Sequence, residues 1–415
     1  MNAFAVVFLA ALFVTVGVRL WLASRHVRHI QAHRAAVPAE FAGEIGLEAH
    51  QKAADYSTAR TRFAMIHSVV DAVVVLVLTF GGLLQFLSTV SAESFSSPLL
   101  QGVALIALFA IATSAIDLPF SYYRNFGIEA RFGFNKMTRA MWVIDLIKHA
   151  AVAVVLGLPL VLAVLWLMGV MGDYWWLYVW LVWMGFSLAV TAIYPAFIAP
   201  LFNKFSPMQE GSLKARIEQL LAKCGFRSSG LFVMDGSRRS SHGNAYFTGF
   251  GKTKRIVFFD TLISRLNEPE VEAVLAHELG HFKLHHVLRR MGWTFAVSLG
   301  FLALLGYLED KAWFYEGLGV SPPGSDALAL ILFVIAVPVF TFLLHPLVAM
   351  YSRKHEYEAD EYAAKYSSAR ELVNALVKLY KDNASTLTPD PVHSAFYDSH
   401  PPARIRISKL QSYAT

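Results

Sequence analysis

Seven long apolar stretches limit what this chain can fold into. They occupy residues 3–24, 66–89, 98–119, 147–171, 174–199, 291–308 and 327–350. A helix needs about 20 apolar residues to cross a bilayer, whereas buried helices of a soluble core rarely run this long without charge. Hydrophobic residues make up 56% of the chain and charged residues only 16%, against roughly 25% charged residues in soluble domains. The pattern predicts a mainly α bundle of seven transmembrane helices and excludes disorder, collagen and coiled coil.

Lysine and arginine are concentrated in alternate segments between these spans. They are frequent in residues 25–65, 120–146, 200–290 and 351–415, whereas the other segments and the N-terminus hold one basic residue, Lys311. Because basic residues are retained on the cytosolic side, we expect the N-terminus outside and the C-terminus inside. The first apolar run is too long, and its start too poor in basic residues, for a cleaved signal peptide.

The expected location follows from the spans and from the composition. One cysteine, Cys224, offers no internal disulfide and suits a reducing cytosol. The Ala- and Val-rich composition favours a bacterial source, for which we expect a multi-pass protein of the inner membrane. In a eukaryote the corresponding location would be the endoplasmic reticulum.

Two cytosolic segments, about 200–290 and 351–415, are long enough to fold outside the bilayer. Residues 212–223 have the amphipathic pattern of a helix, with Ser212 as its N-cap. Short β-strands are expected at 231–234, 244–249 and 255–259. Because neither segment alone buries a large core, we expect the two to form one small α+β domain.

The first of these segments contains an H-E-x-x-H motif on a predicted helix. Asn267 caps the helix and Glu270 completes a capping box. Helical spacing puts His277 and His281 on one face, one turn apart, so both imidazoles can bind the same Zn²⁺. Glu278 then lies beside the water on the ion. The sequence therefore predicts a zinc site on this helix.

A catalytic zinc site uses three protein ligands and leaves one position open, so a third ligand is needed. His285 lies on the same helix face as His281, one turn farther along. Three ligands on one straight helix cannot surround an ion tetrahedrally. The extended pattern H-E-x-x-H-x-x-G-x-x-H is absent, because Leu284 occupies the glycine position.

Carboxylates of a second predicted helix, residues 352–366, are the remaining candidates. Glu356 and Asp360 are four residues apart and share a face, so one can bind the ion while the other orients a histidine. Glu361 is a further possibility. Glu358 lies on another face, where a solvated charge is the simpler interpretation. Two spans separate this helix from the H-E-x-x-H helix, which returns it to the same side of the membrane.

With these residues identified, the sequence resembles the CAAX prenyl protease 1 family, integral-membrane zinc endopeptidases of the a-factor-converting type. The resemblance extends from about Asp117 to Arg406. It is carried by DLPFSYYRNFGIEARFGFNKMT (117–138), IAPLFNKFSPM (198–208), SHGNAYFTGF (241–250), VLAHELGHFKLHH (274–286), SRKHEYEADEYA (352–363) and SHPPARIR (399–406). Several specific blocks in the same order make a chance match improbable.

The resemblance implies a fold and a set of roles. Seven helices would surround a water-filled chamber that the metal site faces. One Zn²⁺ per chain would be bound by His277, His281 and Glu356, with Glu278 as general base and Asp360 beside the ligands.

The same resemblance implies how substrate is held. Asn244, Ala245, Tyr246 and Phe247 would present an edge strand to which a substrate backbone adds. His400 and Arg406 would lie near the scissile carbonyl and could stabilise an oxyanion. Arg404 is the rival to Arg406, and an ordinary surface loop is the alternative for both His400 and Arg406.

Several ionisable residues also fall within the predicted spans, where such groups are functional candidates by default. His67 and Asp71 are four residues apart and could pair, and His149 and His345 also have apolar neighbours. For all four a structural or chamber-lining role is favoured over catalysis.

Together these features predict a membrane-embedded zinc metalloendopeptidase that hydrolyses membrane-associated or prenylated CAAX-type polypeptides. Its expected partners are a peptide or lipidated-peptide substrate and the lipid bilayer, with no nucleic acid. One alternative is a heat-shock-type metalloprotease that degrades misfolded membrane proteins, although such relatives usually have fewer spans. Another is a zinc-regulated transporter or channel, which internal symmetry would favour.

The expected organisation has four parts. Residues 1–199 hold five transmembrane helices with cytosolic loops, and residues 200–290 the metalloprotease domain with the H-E-x-x-H helix. Residues 291–350 form two further transmembrane helices. Residues 351–415 complete the protease domain and supply the third zinc ligand.

Overall fold

The computed structural model describes residues 2–226, 228–248, 255–322 and 324–413. Its first half is helical: α1 (Ala3–Ala32), α2 (Leu47–Leu78), α3 (Leu83–Ser94), α4 (Pro98–Tyr123), α5 (Arg139–Val170), α6 (Trp175–Ile193) and α7 (Ala199–Phe202). Two π-helical segments extend α4 and α6, at Arg124–Glu129 and Tyr194–Ile198. Short 3₁₀ turns lie at Ala39–Phe41, Gly172–Tyr174, Gly236–Arg238 and Phe342–Leu344.

The second half combines strands and helices. It contains β1 (Phe205–Pro207), α8 (Ser212–Lys223), β2 (Leu231–Met234), β3 (Ala245–Thr248), β4 (Arg255–Phe259), α9 (Asp260–Ile263), α10 (Glu268–Lys283), α11 (His286–Leu308), α12 (Ala312–Glu316), α13 (Asp326–Thr341), α14 (His345–Tyr366), α15 (Ala369–Asp382), α16 (Pro391–Tyr397) and α17 (Ala403–Gln411).

Seven described helices are long and apolar enough to cross a membrane. They are α1, α2, α4, α5, α6, α11 and the run of α13 into α14. The predicted mainly α, seven-span architecture with a small α+β part is thereby confirmed.

The second span differs from its predicted bounds of 66–89. Helix α2 begins earlier and ends at Leu78, and the chain turns before α3 begins at Leu83. Gly82 has φ = 75° in this turn, a left-handed backbone that glycine adopts without steric cost. A glycine pair therefore interrupts a stretch that hydrophobicity alone presents as continuous.

The predicted strands form part of one four-stranded sheet of order β1-β2-β4-β3. Strands β2 and β4 are parallel, whereas β1 and β3 pair antiparallel with β2 and β4. Position 249 of the predicted third strand lies outside the described residues. Strand β1 was not predicted, because three residues ending in a proline carry almost no strand signal.

Helix α8 has its predicted bounds, but Ser212 is not its N-cap. Gly211 occupies the cap position, and the Ser212 hydroxyl instead donates a hydrogen bond to Glu268 at the start of α10. The serine thus links two helices instead of closing its own.

One apolar core joins the two cytosolic segments. Ile217 and Phe258 of the first segment belong to the same buried cluster as Ala363, Leu376 and Leu410 of the second. The membrane helices form a separate cluster around side chains such as Phe8, Leu84 and Leu332. Packing of the second segment on the first brings α10 and α14 side by side.

His67 and Asp71, which the sequence suggests could pair within the second span, lie close together. His67 Nε2 lies 3.5 Å from Asp71 Oδ1 and 3.1 Å from Asp117 Oδ1. His149 bonds the Asp145 carbonyl of its own helix, and His345 bonds the Phe396 carbonyl.

Candidate active site

The H-E-x-x-H residues lie on α10, whose first turn is fixed by hydrogen bonds. The Asn267 side chain accepts from the Glu270 backbone N–H at 2.9 Å, and Glu270 accepts from the Asn267 N–H at 2.8 Å. This is the capping box expected from the sequence. Glu270 also pairs with Lys378 of α15 at 2.6 Å. Helix α10 is thus held in one orientation before its metal-ligand face begins.

A glycine allows α10 to approach α14 closely. A Cβ atom on Gly280 would lie 2.9 Å from the Cα atom of Ala359 and 3.2 Å from its carbonyl oxygen. No side chain fits in that space without displacing backbone. The contact brings the histidines of one helix to the carboxylates of the other.

Two imidazole nitrogens and one carboxylate from these helices form a ligand triangle, in which a different carboxylate oxygen faces each imidazole. His277 Nε2 lies 3.2 Å from His281 Nε2 and 3.4 Å from Glu356 Oε2. His281 Nε2 lies 3.3 Å from Glu356 Oε1. Bonds of about 2.0–2.1 Å to a tetrahedral ion place neighbouring ligand atoms about 3.3–3.4 Å apart. The two imidazoles and the carboxylate therefore lie at separations suited to binding one metal ion.

The chemistry of the group also fits a metal ion. Oε2 of Glu356 is buried and has no hydrogen-bond partner among the described residues, a costly state for a carboxylate. Two imidazoles and one carboxylate are a usual donor set for a catalytic zinc or a similar divalent ion. Among the predicted third ligands, Glu356 is the one in this group, whereas Glu361 is exposed.

On the His277 side of the group, a carboxylate contacts the imidazole directly. His277 Nδ1 lies 2.9 Å from Asp360 Oδ1. Arg406 donates from Nε and Nη2 to the two Asp360 oxygens, both at 2.7 Å. Arg406 is only 5% exposed, so this charged pair is held inside the protein.

The charges of this network favour a cation at the His277 ring. Burial and the Arg406 charge lower the pKa of His277, but the adjacent carboxylates of Asp360 and Glu356 outweigh them and raise it to about 9. Burial would lower the pKa of Arg406, yet its hydrogen bonds to Asp360 raise it above its ordinary value. The surplus negative charge suits a proton or a metal ion equally.

On the His281 side the support is different. His281 Nδ1 lies 3.0 Å from Nδ1 of His286, and His286 Nε2 lies 2.8 Å from Glu358 Oε2. Glu358, expected from the sequence to be a solvated charge, is half-buried and also contacts a histidine beyond its own helix. Its helix face turns toward the first residue of α11, a contact between helices distant in sequence.

Glu278 follows the first ligand and is partly buried. Burial raises the pKa of Glu278, against the opposing charges of His277 and His281. A raised pKa makes the carboxylate a stronger base, which favours its use as a proton acceptor.

The C-terminal motif brings two of its side chains to the group. His400 Nε2 lies 3.4 Å from Glu356 Oε1 and its side chain is largely exposed, whereas Arg406 Nη1 lies 3.9 Å from Glu356 Oε2. The rival Arg404 points away and pairs with Glu40 at 2.7 Å.

The predicted substrate segment forms the edge of the sheet. Residues Ala245, Tyr246 and Phe247 belong to β3, which pairs on one side with β4 and on the other with no described strand. The Asn244 carbonyl accepts from the Phe259 N–H at 3.0 Å. Strand β3 also contacts α10. Positions 249 and 250 of the motif lie outside the described residues.

Sequence reasoning missed two contributions to this arrangement. Neither His286 nor Gly280 has a role in the prediction from sequence patterns, although both lie within the block VLAHELGHFKLHH. His285 is not in the ligand triangle; its φ of 58° breaks the helix and turns the chain into α11. The sequence signal that could have indicated His286 is the pair of consecutive histidines, His285 and His286, just after the end of α10.

Comparison with known proteins extends these observations to the whole chain. Residues 26–204 match the family model described as CAAX prenyl protease N-terminal, five membrane helices, and residues 207–414 match peptidase family M48. The chain is 37% identical over 384 residues to the CAAX prenyl protease 1 homolog of Arabidopsis thaliana, with 90% of each covered. It is 34% identical over 400 residues to CAAX prenyl protease 1 of Saccharomyces cerevisiae, covering 90% of this chain and 88% of the other.

A solved structure has the same fold. The crystal structure of S. mikatae Ste24p superposes with a TM-score of 0.93 at 29% identity, and 99% of each chain is covered. Together with the two family models, these matches account for the membrane helices and for the helices that carry the candidate ligands. The chain therefore belongs to peptidase family M48, with the CAAX prenyl protease 1 proteins, and is a multi-pass membrane metalloendopeptidase.

Proposed function

We propose that the chain is a zinc endopeptidase that cleaves lipid-modified polypeptides at the membrane surface. The observation that carries this proposal is the ligand triangle of His277, His281 and Glu356, whose imidazole nitrogens and facing carboxylate oxygens lie 3.2–3.4 Å apart, beside the partly buried carboxyl of Glu278. The ligand atoms fit one zinc ion per chain and leave one coordination position for reaction.

We assign the chemical roles as follows. When bound, Zn²⁺ supplies Lewis acidity at the scissile carbonyl and makes water acidic. Glu278 accepts the proton of the attacking water and delivers it to the leaving amine. His400, at the exposed mouth of the group, donates a hydrogen bond to the developing oxyanion. Arg406 orients Asp360 and adds positive charge on the same side.

The unpaired edge of β3 supplies a place for the substrate backbone. An extended peptide adding to Asn244–Phe247 would gain main-chain hydrogen bonds that do not depend on its sequence. Because β3 contacts α10, such a peptide would pass the ligand face of that helix. Selectivity would then come from whatever the substrate carries beyond its backbone.

We propose that the enzyme selects its substrates by a lipid group that they carry. The relatives that match over most of their length are called CAAX prenyl proteases. Both ligand-bearing helices adjoin membrane spans: α10 directly precedes α11, the sixth span, and α14 continues from α13 in the seventh. A substrate held by a prenyl chain in or beside the bilayer would therefore reach the site without leaving the membrane.

We further propose the arrangement in the membrane that the basic segments predict. The N-terminus lies outside, and the protease domain, built from 200–290 and 351–415, lies in the cytosol. The transmembrane parts are 1–199 and 291–350, and they enclose the chamber. The membrane is the inner membrane in a bacterium or the endoplasmic reticulum in a eukaryote.

The test uses the full chain purified in detergent. A farnesylated CAAX-type peptide and the same peptide without the lipid are incubated with it, with and without a zinc chelator, and products are identified by mass. We expect cleavage of the farnesylated peptide, faster than that of the unmodified one, and its loss with chelator.

Glu278→Gln separates the chemistry from metal binding. We expect the rate to fall by about 10²–10⁴, the usual contribution of a general base, with zinc content unchanged. Glu361→Gln, an exposed carboxylate on α14, is the control and should be active. Full activity of Glu278→Gln, or cleavage that survives complete zinc removal, contradicts the proposal.

A further inference from the structure

The two candidate histidine ligands differ in what holds their second ring nitrogen. Asp360 contacts Nδ1 of His277 directly at 2.9 Å. Among the described residues, no carboxylate takes the corresponding position beside His281; its Nδ1 lies 3.0 Å from Nδ1 of His286. The carboxylate comes one ring later, where Glu358 Oε2 lies 2.8 Å from His286 Nε2.

These distances assign a proton to each ring. A carboxylate only accepts, so Nε2 of His286 carries a hydrogen and donates it to Glu358. Nδ1 of neutral His286 is then an acceptor, and His281 donates to it from its own Nδ1. His281 Nε2 is left with a free lone pair, the one directed at His277 and Glu356 in the ligand triangle.

We propose that His286 and Glu358 are positioning residues that fix the tautomer and ring orientation of His281 for metal binding. This inference rests on the proposed zinc site. His277 bonds its carboxylate, Asp360, directly. His281 is connected to a carboxylate, Glu358, only through the ring of His286. The geometry follows the general rule that a ligating histidine donates its other N–H to a fixed acceptor.

The surroundings of His286 hold it in one place. The side chain is completely buried, at 0% exposure. Its ring stacks on that of His355, with centroids 4.0 Å apart and planes inclined by 8°, and Tyr351 packs against the other ring of this stack. The His286 ring is stacked on one side and bonded at both nitrogens, so any other rotamer would break these contacts.

The backbone also favours this arrangement. His285, just before it, has a left-handed φ of 58°, uncommon for a residue with a side chain. The turn ends α10 and starts α11 with the His286 ring directed back toward His281. A straight continuation of α10 would carry residue 286 around to a different helix face.

A second metal ion is a poorer explanation of the same residues. His286, His355 and Glu358 do offer ligand atoms within 4.8 Å of one another. The two rings, however, are stacked and nearly parallel, and imidazole lone pairs lie in the ring plane. Two parallel planes share no point at which one ion meets both lone pairs, so the cluster suits hydrogen bonding better than coordination.

The experiment measures zinc affinity of the full chain in detergent by competition with a fluorescent chelator at fixed pH. We expect His286→Ala to weaken binding by about 10–100-fold, the usual effect of losing such a partner. Glu358→Ala should weaken it less, in the same direction. His286→Gln, whose side-chain carbonyl can accept from His281, should recover most of the lost affinity.

Two controls separate positioning from general damage. His355→Phe keeps a stacking ring without the nitrogens and should bind zinc as the unaltered chain does, as should Glu361→Ala. The visible spectrum of the Co²⁺-loaded protein is a second measurement, and it should change in His286→Ala but not in the controls. Thermal unfolding of each metal-free variant identifies any that fails to fold, in which case Glu358→Ala carries the test.

Equal zinc affinity and equal Co²⁺ spectra in His286→Ala, Glu358→Ala and the unaltered chain would overturn the inference. A failure of the zinc site itself looks different. In that case the unaltered chain and Glu356→Ala would bind zinc equally weakly, which contradicts both the site and the positioning role.

Discussion

The two candidate histidine ligands, His277 and His281, are held in place by different networks of side chains. His277 is supported by Asp360, which is 2% exposed and bonded twice to buried Arg406. His281 is supported through neutral His286, and the charge at the end of that chain, Glu358, is 32% exposed. Removing Asp360 leaves the buried charge of Arg406 without its partner, whereas removing Glu358 leaves only a neutral N–H of His286 without its acceptor. We therefore expect the His277 side to govern stability and the His281 side to govern metal affinity.

The largest effect should come from Asp360→Ala. It leaves the Arg406 guanidinium buried without its partner, and breaking a buried pair in this way costs about 3–5 kcal/mol of unfolding free energy. Glu358→Ala, the matched change on the His281 side, should cost less, about 1–3 kcal/mol, because it leaves one neutral N–H of buried His286 unpaired. Thermal or denaturant unfolding of both variants in the same detergent checks this, and equal losses would remove the distinction between the two sides.

A second effect is the pH dependence of the metal-free protein. The pKa of His277 is about 9, above its ordinary 6.5, so the folded state binds a proton more tightly than the unfolded state. The stabilisation is complete below about pH 6.5 and is lost as pH rises through about 9, a difference on the order of 3 kcal/mol. Melting temperature in chelator should therefore fall between about pH 6 and about pH 10.

The zinc-loaded protein provides the control for this effect. The ion replaces the proton on His277, and zinc affinity rises with pH because the ligands must be deprotonated. The fall in melting temperature should thus be absent or reversed when zinc is saturating. An identical pH profile with and without zinc contradicts the assignment of His277 as a ligand.

The smallest of these effects should come from Gly280→Ala, which acts on both sides together. The new methyl group would meet Ala359 backbone at 2.9 Å, so α10 and α14 must separate. Overpacking of this kind costs about 1–3 kcal/mol, and the ligand triangle should widen enough to weaken zinc binding. Unfolding and zinc titration measure the two consequences.

Gly292→Ala is the matched control, because a Cβ atom there meets nothing within 4 Å. It replaces a helical glycine by the best helix former and should leave zinc affinity unchanged. If Gly280→Ala behaves like Gly292→Ala, close approach of the two helices is not what forms the site.

Much of the architecture could be predicted because it follows from local patterns. Seven apolar stretches give seven spans, and the pair Asn267 and Glu270 gives the start of α10. The spacing of His277 and His281 is fixed by the helix period. Glu356 was one of several carboxylates allowed by pattern alone, and only the family resemblance singled it out.

What could not be predicted depends on contacts between distant helices. Glu358 looks like a solvated charge along its own helix, yet it meets His286, just after α10, because α10 packs against α14. Gly280 appears to be a weak point of a helix until Ala359 is seen against it. The break after Leu78 was hidden because hydrophobicity does not register backbone conformation. The roles assigned to His400, Arg406 and β3 stay predictions until they are measured.

The left-handed turn at His285 has a further consequence. Only Leu284 and His285 separate the helix that holds two candidate ligands from the sixth span, and Glu356 lies on a helix that runs on from the seventh. Transmembrane helices tilt when bilayer thickness changes. Because the connection to each ligand-bearing helix is so short, we expect this tilt to shift the candidate ligand atoms. We therefore expect the acyl-chain length of the surrounding lipid to change the geometry of the candidate metal site.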